Sequence, residues 1–230
     1  MHRSGTTLLS QLLNQAGIFQ GVFRDHNSEA FHFLSINQQT LEKVGCDWLN
    51  PIEVKSKDWF SISAEELYAI HFQVSPNSLK LKWLHNHAWG WKDPRNTFTL
   101  PMYLSLFPKA RVINVLRDGR DVALSLKQRN KVAGEVHSEK LDDLEFNFRL
   151  WEKYVKKGTS YKDSVQQFIQ VKYEDLLEGK KETISLLERF CNVNLRQHLG
   201  VIRKPKSREY SNEIQMIASK SESYNKWYAI

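Results

Sequence analysis

Apolar residues recur along much of the chain with the spacing of helices that bury one face. In Thr6–Ala16, leucines at positions 8, 9, 12 and 13 share a face, and Gly17 marks the helix end. A second helix is predicted over Glu29–Val44, and a capping box at Ser63–Glu66 starts a third that continues through Phe72. Further helices are predicted over Thr97–Phe107, Asp118–Arg129, Leu141–Lys157 and Lys181–Phe190.

Short apolar segments between these helices predict strands. Arg111–Leu116 has the near-continuous apolar character of a buried parallel strand, Phe168–Lys172 is a second strand, and Leu84–Trp91 is a less regular candidate. Alternation of strands and helices predicts an α/β fold: one domain over residues 1–230, with a parallel sheet covered by helices on both faces. Ligands of such sheets bind beyond the carboxyl ends of the strands. From Arg203 onward the chain is polar and basic.

Composition adds a basic character to this picture. The 230 residues include 33 Lys and Arg against 26 Asp and Glu, a formal charge of +7. This excess favours an anionic partner such as a nucleotide, a sulfated or phosphorylated polymer, nucleic acid or a membrane surface, although a merely solvated basic surface fits as well. Cys46 and Cys191 match no metal spacing and leave one disulfide possible. No apolar run is long enough to cross a bilayer.

The segment His2–Thr7, of sequence HRSGTT, has the features of an anion-binding loop. Gly5 permits close approach of the backbone, the neighbouring hydroxyls can donate hydrogen bonds, and the helix that follows directs its free N–H groups to the same place. Arg3 adds a full positive charge. The loop lacks the Gly-Lys-Ser/Thr ending of an ATP-binding Walker loop. An ordinary capped helix start is the alternative interpretation.

A second basic motif follows the predicted strand at Arg111–Leu116. Arg117 stands at the strand end, and Ser125 and Arg129 are four residues apart on one helix face. The three side chains can converge on a second phosphate at the strand-to-helix crossing. A charged turn and a solvated basic face are the alternative.

Together these motifs resemble sulfotransferases that use 3′-phosphoadenosine 5′-phosphosulfate (PAPS). Arg3–Leu8 resembles their 5′-phosphosulfate loop, and Val115–Arg129 resembles their 3′-phosphate motif, with the spacings of the protein-tyrosine branch. Trp91–Arg95 and Val171–Leu176 also resemble family segments, in the expected order. The motif style is closest to the bacterial, protein-tyrosine and heparan branches.

This resemblance implies a P-loop-type fold with PAPS as co-substrate. No carboxylate cluster suggests a metal site, so we expect no metal, and we expect no nucleic-acid partner. It assigns the 5′-phosphosulfate to the loop residues, the 3′-phosphate to the second motif, and the adenosine to Tyr173. The alternative interpretation of Tyr173 is an aromatic residue at a strand end that packs in the core. Lys226, beside Trp227, resembles a residue that closes over the nucleotide. The implied cofactor-binding residues are Arg3, Ser4, Gly5, Thr6, Thr7, Arg117, Ser125, Arg129, Tyr173 and Lys226.

The catalytic residues implied are Arg3 and Glu29. Transfer to a hydroxyl requires a group that accepts its proton. Pro94 stands where cytosolic members have a histidine base, whereas Glu29 resembles the glutamate of the heparan and protein-tyrosine branches. A carboxylate attracted to a helix N-terminus is the alternative for Glu29, and His32 is interpreted as packing. Lys92 and Arg95 either bind the sulfuryl oxygens or acceptor, or pair with Asp93.

The acceptor stays open between a carbohydrate, a lipid headgroup, a peptide tyrosine and a small alcohol. A nucleotide or small-molecule kinase and a non-catalytic binder of nucleotide or polyanion are the alternative functions. In this family the phosphosulfate loop follows a buried central strand, so we expect that strand to be missing from a chain in which only Met1 precedes the loop. The chain as written is expected in the cytoplasm; a lost segment with an anchor would place it on a membrane or in a lumen.

Overall fold

The computed structural model describes residues 1–59, 61–74, 87–132, 137–202 and 209–228. The strands within these ranges are β1 (Val112–Leu116) and β2 (Phe168–Lys172). The helices in the same ranges, numbered in chain order, are α1 (Thr6–Gln15), α2 (Phe31–Lys43), α3 (Ala64–Phe72), α4 (Asn96–Leu106), α5 (Gly119–Arg129), α6 (Leu144–Ser160), α7 (Tyr173–Leu177), α8 (Lys181–Cys191), α9 (Asn212–Ser219) and α10 (Glu222–Tyr228). Short 3₁₀ helices lie at Ser56–Asp58, Glu139–Asp142, Tyr161–Asp163 and Arg196–Val201.

The two strands pair in parallel, with Val112 opposite Phe168 and Leu116 opposite Lys172. Parallel neighbours need a crossover, and here α5 and α6 lie between them in the chain. The predicted α/β class with a parallel sheet is therefore confirmed. Arg117 and Tyr173 directly follow the carboxyl ends of the two strands, where ligands of such sheets bind.

The predicted third strand at Leu84–Trp91 is wrong where it can be checked. Residues 84–86 lie outside the described ranges, and residues 87–91 form only a single bridge between Trp89 and Phe19. Trp91 stacks on Phe33 with ring centroids 4.0 Å apart, and Trp89 lies 5.8 Å from Trp91. Packing of rings thus holds this segment, which explains its alternating aromatic residues without a strand ladder.

Two compact units divide the chain. The first comprises Met1–Gly5, Val112–Lys180 and Arg203–Ile230, and the second comprises Thr6–Arg111 and Lys181–Ile202. The single domain predicted for residues 1–230 stays a prediction.

The core of the first unit is built around Trp151 on α6, which is fully buried. Its indole N–H donates to the backbone oxygen of Arg117 at 2.9 Å. Gly119 is required beside it, because a Cβ there would lie 2.7 Å from the Trp151 ring. Tyr224 of α10 lies 6.4 Å from the same ring. The polar tail therefore contains two helices that the sequence analysis did not predict.

The helix predicted over Leu141–Lys157 begins later than expected. Asp143 caps α6 through hydrogen bonds from the backbone N–H groups of Glu145 and Phe146. The residues before it form the 3₁₀ turn at Glu139–Asp142. The apolar pattern continues across Asp143, but the cap at this residue marks where the hydrogen bonding of α6 begins. The other predicted helices are confirmed, with ends displaced by one or two residues.

Aromatic rings form much of the core of the second unit, and two histidines lie among them. The ring of His71 lies 5.0 Å from Trp89 and 5.2 Å from His32, and His71 is fully buried. Burial lowers the pKa of His71 to about 3, with the neighbouring His32 adding to the effect. Burial also lowers the pKa of His32 to about 4. Both side chains are therefore packing residues, which agrees with the interpretation of His32 from the sequence.

These histidines should make the protein sensitive to mild acid. As the pH falls below about 6.5, the unfolded imidazoles bind protons while the folded ones do not, so stability decreases. When the pH is lowered from 7 to 5, the free energy of unfolding should fall by about 2 kcal/mol for each of these histidines. Urea unfolding at both pH values should show a smaller acid effect in His71→Leu than in wild type. The exposed His26→Ala serves as the control, and equal acid effects in both variants would contradict the expectation.

Candidate active-site clusters

The loop before α1 has a backbone conformation suited to close contacts. Arg3 and Gly5 both have positive φ, at 64° and 84°. Ser4 between them is buried. A Cβ on Gly5 would lie 2.0 Å from Cδ2 of Tyr173, so the Tyr173 ring lies directly against the loop. Only glycine fits here, both for its backbone angle and for this contact.

Four of the predicted site residues meet in the first unit, and we call Arg3, Arg117, Ser125 and Tyr173 the arginine cluster. Nε of Arg3 donates to Oγ of Ser125 at 2.9 Å. Nη1 of Arg117 donates to the backbone oxygen of Arg3 at 2.8 Å. The guanidinium of Arg117 lies 4.8 Å from the centroid of the Tyr173 ring, within cation–π range. The loop and the second basic motif therefore form one set of contacts.

Asp121 was missed by the sequence analysis. Its Oδ2 accepts a hydrogen bond from Nη2 of Arg117 at 3.1 Å, and its Oδ1 accepts one from the hydroxyl of Tyr210 at 3.2 Å. The spacing of four residues from Arg117 is the signal that would have suggested this pair. The carboxylate fixes the direction of the Arg117 side chain.

The arginine cluster fits a phosphate. Nε of Arg117 is buried and has no hydrogen-bond partner among the described residues. Ser125 accepts from Arg3 through its oxygen, which leaves its own proton for donation. A positive charge together with O–H and N–H donors is what a phosphate requires.

The remaining predicted cofactor residues lie in or near helices. Thr6 and Thr7 begin α1, and the hydroxyl of Thr7 donates to the backbone oxygen of Asn27 at 2.9 Å. Arg129 is the last residue of α5, one turn after Ser125. Lys226 is exposed on α10, with its Nζ 5.4 Å from the Trp227 ring centroid. Their roles stay predictions.

In the second unit, Glu29, Lys92, Asp93 and Arg95 form a group that we call the glutamate cluster. The Glu29 side chain is only 4% exposed. Its Oε1 accepts from Nζ of Lys92 at 3.0 Å, and its Oε2 accepts from Nη1 of Arg95 at 3.1 Å. Helix α2 begins after Glu29 with Ala30 as its N-cap. Two cations therefore hold this carboxylate, and Arg95 also pairs with Asp93 at 3.0 Å.

Burial raises the pKa of Glu29, and the charge of Asp93 adds to the rise, whereas Lys92 and Arg95 oppose it. A carboxylate with a raised pKa is a better proton acceptor than an exposed one. Burial disfavours the charge of Arg95, but Asp93 and Glu29 together raise its pKa. The cluster thus combines a basic carboxylate with fixed positive charges.

A short loop fixes the backbone of Glu29. The N–H of Glu29 donates to Oδ1 of Asp25 at 2.7 Å, and the same oxygen accepts from the N–H of Asn27 at 2.9 Å. Ser28 has a positive φ of 63°, which a residue other than glycine adopts only where its surroundings enforce it. Asp25 was missed by the sequence analysis, although an aspartate that accepts bonds from residues following it is a common loop device.

Gly5 provides a direct test of the loop geometry. Gly5→Ala should lower the free energy of unfolding by more than about 1–2 kcal/mol, because the strain of a positive φ is joined by the clash with Tyr173. Gly17→Ala is a matched control, because Gly17 also has a positive φ, of 95°, but nothing lies within 4 Å of the added Cβ. Equal losses for the two variants in urea unfolding would show that Tyr173 does not lie against the loop.

Comparison with known proteins gives the family of this chain. The sequence model of the sulfotransferase family matches residues 1–197, which is most of the chain's length. The chain belongs to the sulfotransferase family. The matched segment includes both clusters and excludes Lys226.

One relative is a Caenorhabditis elegans protein that is provisionally named a protein-tyrosine sulfotransferase. It is 27% identical to this chain over 158 residues. The aligned region covers 66% of this chain and 55% of the worm protein, so the chain spans about half the length of that relative. No solved structure matches this chain.

Three further findings concern the described part of this sulfotransferase-family protein. No group of three or more His, Cys, Asp or Glu side chains there is arranged to hold a metal ion. None of its described helices has both the length and the apolar character needed to span a membrane. Cys46 and Cys191 are buried free thiols, and burial raises the pKa of Cys191 to about 11.

Proposed function

We propose that this protein transfers a sulfuryl group from PAPS to a hydroxyl or amine of an acceptor. The observation that carries the proposal is the arginine cluster, in which residues more than 100 positions apart in sequence contact one another. Family membership supports transfer of a sulfuryl group in general and argues against the kinase alternative, as does the missing Walker lysine.

In this proposal PAPS supplies the sulfuryl group and a nucleotide leaving group. Arg3, Ser4, Gly5, Thr6 and Thr7 bind the 5′-phosphosulfate, and Arg117, Ser125 and Arg129 bind the 3′-phosphate. Tyr173 contacts the adenosine, and Lys226 closes over the nucleotide. The fixed position of the Arg117 side chain supports this assignment, because a preorganised cation need not reorient when the ligand binds.

The chemical step is an in-line displacement at sulfur. The acceptor oxygen or nitrogen forms a bond to sulfur while the bond from sulfur to the phosphate oxygen breaks. Glu29 takes the acceptor's proton, and Arg3 stabilises the negative charge that appears on the leaving phosphate. Lys92 and Arg95 are cations suited to hold the sulfuryl oxygens or an anionic acceptor. As in phosphoryl transfer, most of the catalytic effect is positioning and charge stabilisation.

A binding measurement tests the donor. Calorimetry should show that adenosine 3′,5′-bisphosphate binds, whereas ATP with Mg²⁺ does not. Tighter binding of ATP with Mg²⁺ would support the kinase alternative and overturn the proposal.

A transfer assay tests the reaction and narrows the acceptor. Radiolabelled PAPS should be offered with a tyrosine peptide, an oligosaccharide, a glycolipid and a small alcohol. The tyrosine peptide is the first choice because of the name of the worm relative. Binding of the bisphosphate without transfer to any acceptor would favour the non-catalytic binder.

A further inference from the structure

The glutamate cluster buries four charges whose sum is zero. The side chains of Glu29 and Asp93 are 4% and 1% exposed, and those of Lys92 and Arg95 are 11% and 13% exposed. Burying an ionised group is costly unless it is paired and hydrogen-bonded. Without Asp93 the cluster would hold two cations against one carboxylate. Asp93 therefore balances charge close to the proposed base.

Asn37 on α2 binds the carboxylate oxygen of Asp93 that Arg95 does not bind, and its amide uses all of its hydrogen-bonding capacity. The Asn37 NH₂ group donates to Oδ2 of Asp93 at 2.9 Å and to Oδ1 of Asn96 at 2.9 Å. Its Oδ1 accepts from the hydroxyls of Thr99 at 2.6 Å and Tyr103 at 3.0 Å. A fully satisfied buried amide has one orientation, which fixes the acceptor it faces.

Asp93 in turn directs Arg95. Its Oδ1 accepts from the backbone N–H of Arg95 at 2.8 Å and from Nη1 of the same residue at 3.0 Å. This Nη1 also donates to Oε2 of Glu29 at 3.1 Å. One guanidinium nitrogen is thus shared between the two carboxylates, and its position depends on Asp93.

We infer that Asp93, oriented by Asn37, is a positioning residue that fixes Arg95 at Oε2 of Glu29 and places a negative charge against the two cations there. This inference rests on the proposed function of Glu29. The charged groups that act on the Glu29 carboxylate are Lys92, Arg95 and Asp93, and its backbone N–H binds Asp25. Of the three charged groups that act on the carboxylate, Asp93 is the negative one and offsets the two cations.

The chemical consequence follows from the charges. Asp93→Asn keeps the shape of the side chain but removes its charge. The amide oxygen of the variant still accepts from Arg95, so Arg95 keeps its place beside Glu29. Lys92 and Arg95 then act on Glu29 without an opposing negative charge, and the Glu29 carboxylate should hold its proton less strongly. A less basic Glu29 takes the acceptor's proton less effectively.

A titration that needs no acceptor tests this directly. The protein is labelled with ¹³C at the glutamate side-chain carboxyls, and the Glu29 resonance is assigned by its loss in Glu29→Gln. The Glu29 titration should move to lower pH in Asp93→Asn. Asp47→Asn is the matched control, because Asp47 also accepts backbone N–H bonds but is exposed. An unmoved Glu29 titration in Asp93→Asn would overturn the inference.

Turnover gives the second readout. Asp93→Asn should lower kcat on the order of tenfold to a hundredfold, as expected for a general base that is weakened but not removed, with the KM for PAPS unchanged. The double variant Asn37→Asp with Asp93→Asn moves the buried negative charge from the side chain that contacts Arg95 to the side chain behind it in the hydrogen-bond chain. It should recover stability but not turnover. Full recovery of turnover would show that charge balance alone matters and would overturn the positioning role.

Failure of the proposed base looks different from failure of this inference. If Glu29→Gln turns over like wild type, Glu29 is not the base, whatever Asp93 does to its titration. If Glu29→Gln is inactive while Asp93→Asn leaves both the titration and kcat unchanged, the base stands and the role of Asp93 is wrong.

Discussion

Glu29→Gln should reduce turnover by about 10²–10⁴-fold while leaving the affinity for adenosine 3′,5′-bisphosphate near that of wild type. The reason is that glutamine keeps the shape of the side chain and an oxygen for Lys92 or Arg95 but cannot take a proton. The donor is assigned to other residues, so its binding should not change. Steady-state rates with labelled PAPS and calorimetry measure the two quantities.

Glu42→Gln is the control for this experiment, because Glu42 lies on α2, which directly follows Glu29, but is exposed. It should turn over like wild type. Thermal unfolding should be recorded for both variants, since removal of the Glu29 charge leaves two cations partly unopposed. A stable Glu29→Gln protein with wild-type turnover would place the base elsewhere.

Arg117→Ala should weaken binding of adenosine 3′,5′-bisphosphate far more than binding of adenosine 5′-phosphosulfate, which has no 3′-phosphate. Loss of a charged hydrogen bond costs about 1.5–3 kcal/mol, or roughly ten- to a hundredfold in affinity. The structural basis is the position of Arg117 at the end of β1, with a buried Nε that lacks a hydrogen-bond partner among the described residues. Calorimetry with the two nucleotides gives the comparison.

Arg149→Ala is the matched control for Arg117→Ala. Arg149 lies in the same unit and pairs with carboxylates at 2.8 and 3.3 Å, yet it is not part of the arginine cluster. It should leave both affinities unchanged. Equal weakening of the two nucleotides by Arg117→Ala would remove Arg117 from the 3′-phosphate site.

Several elements were predictable because their causes are local. The capping box at Ser63 and Glu66 forms as predicted, since its two hydrogen bonds join residues three apart. The strand at Phe168–Lys172 has the predicted ends. By contrast, the break before α6 depends on whether Asp143 caps a helix or points to solvent, and the apolar pattern is the same in both cases.

Short polar helices near the chain end were not predictable from the pattern alone. The buried side of α9 and α10 consists of few residues, among them Ile214, Ala218 and Tyr224. Ser221 of the same segment bonds the buried Glu152 of α6. Helices of seven or eight residues have little stability of their own, so packing against partners far away in sequence decides whether they form.

The sequence by itself determined the α/β class, most helix positions and the residue types that a sulfotransferase requires, because periodicity, caps and anion-binding motifs are short-range properties. Only the tertiary structure decided that Arg117 binds the backbone of Arg3, 114 residues away. It also decided that the amide of Asn37 binds the carboxylate of Asp93, 56 residues away. Such contacts form because a buried charge is costly unless it is paired and hydrogen-bonded. The spacing of residues along the chain does not show which charged and polar groups the fold brings together.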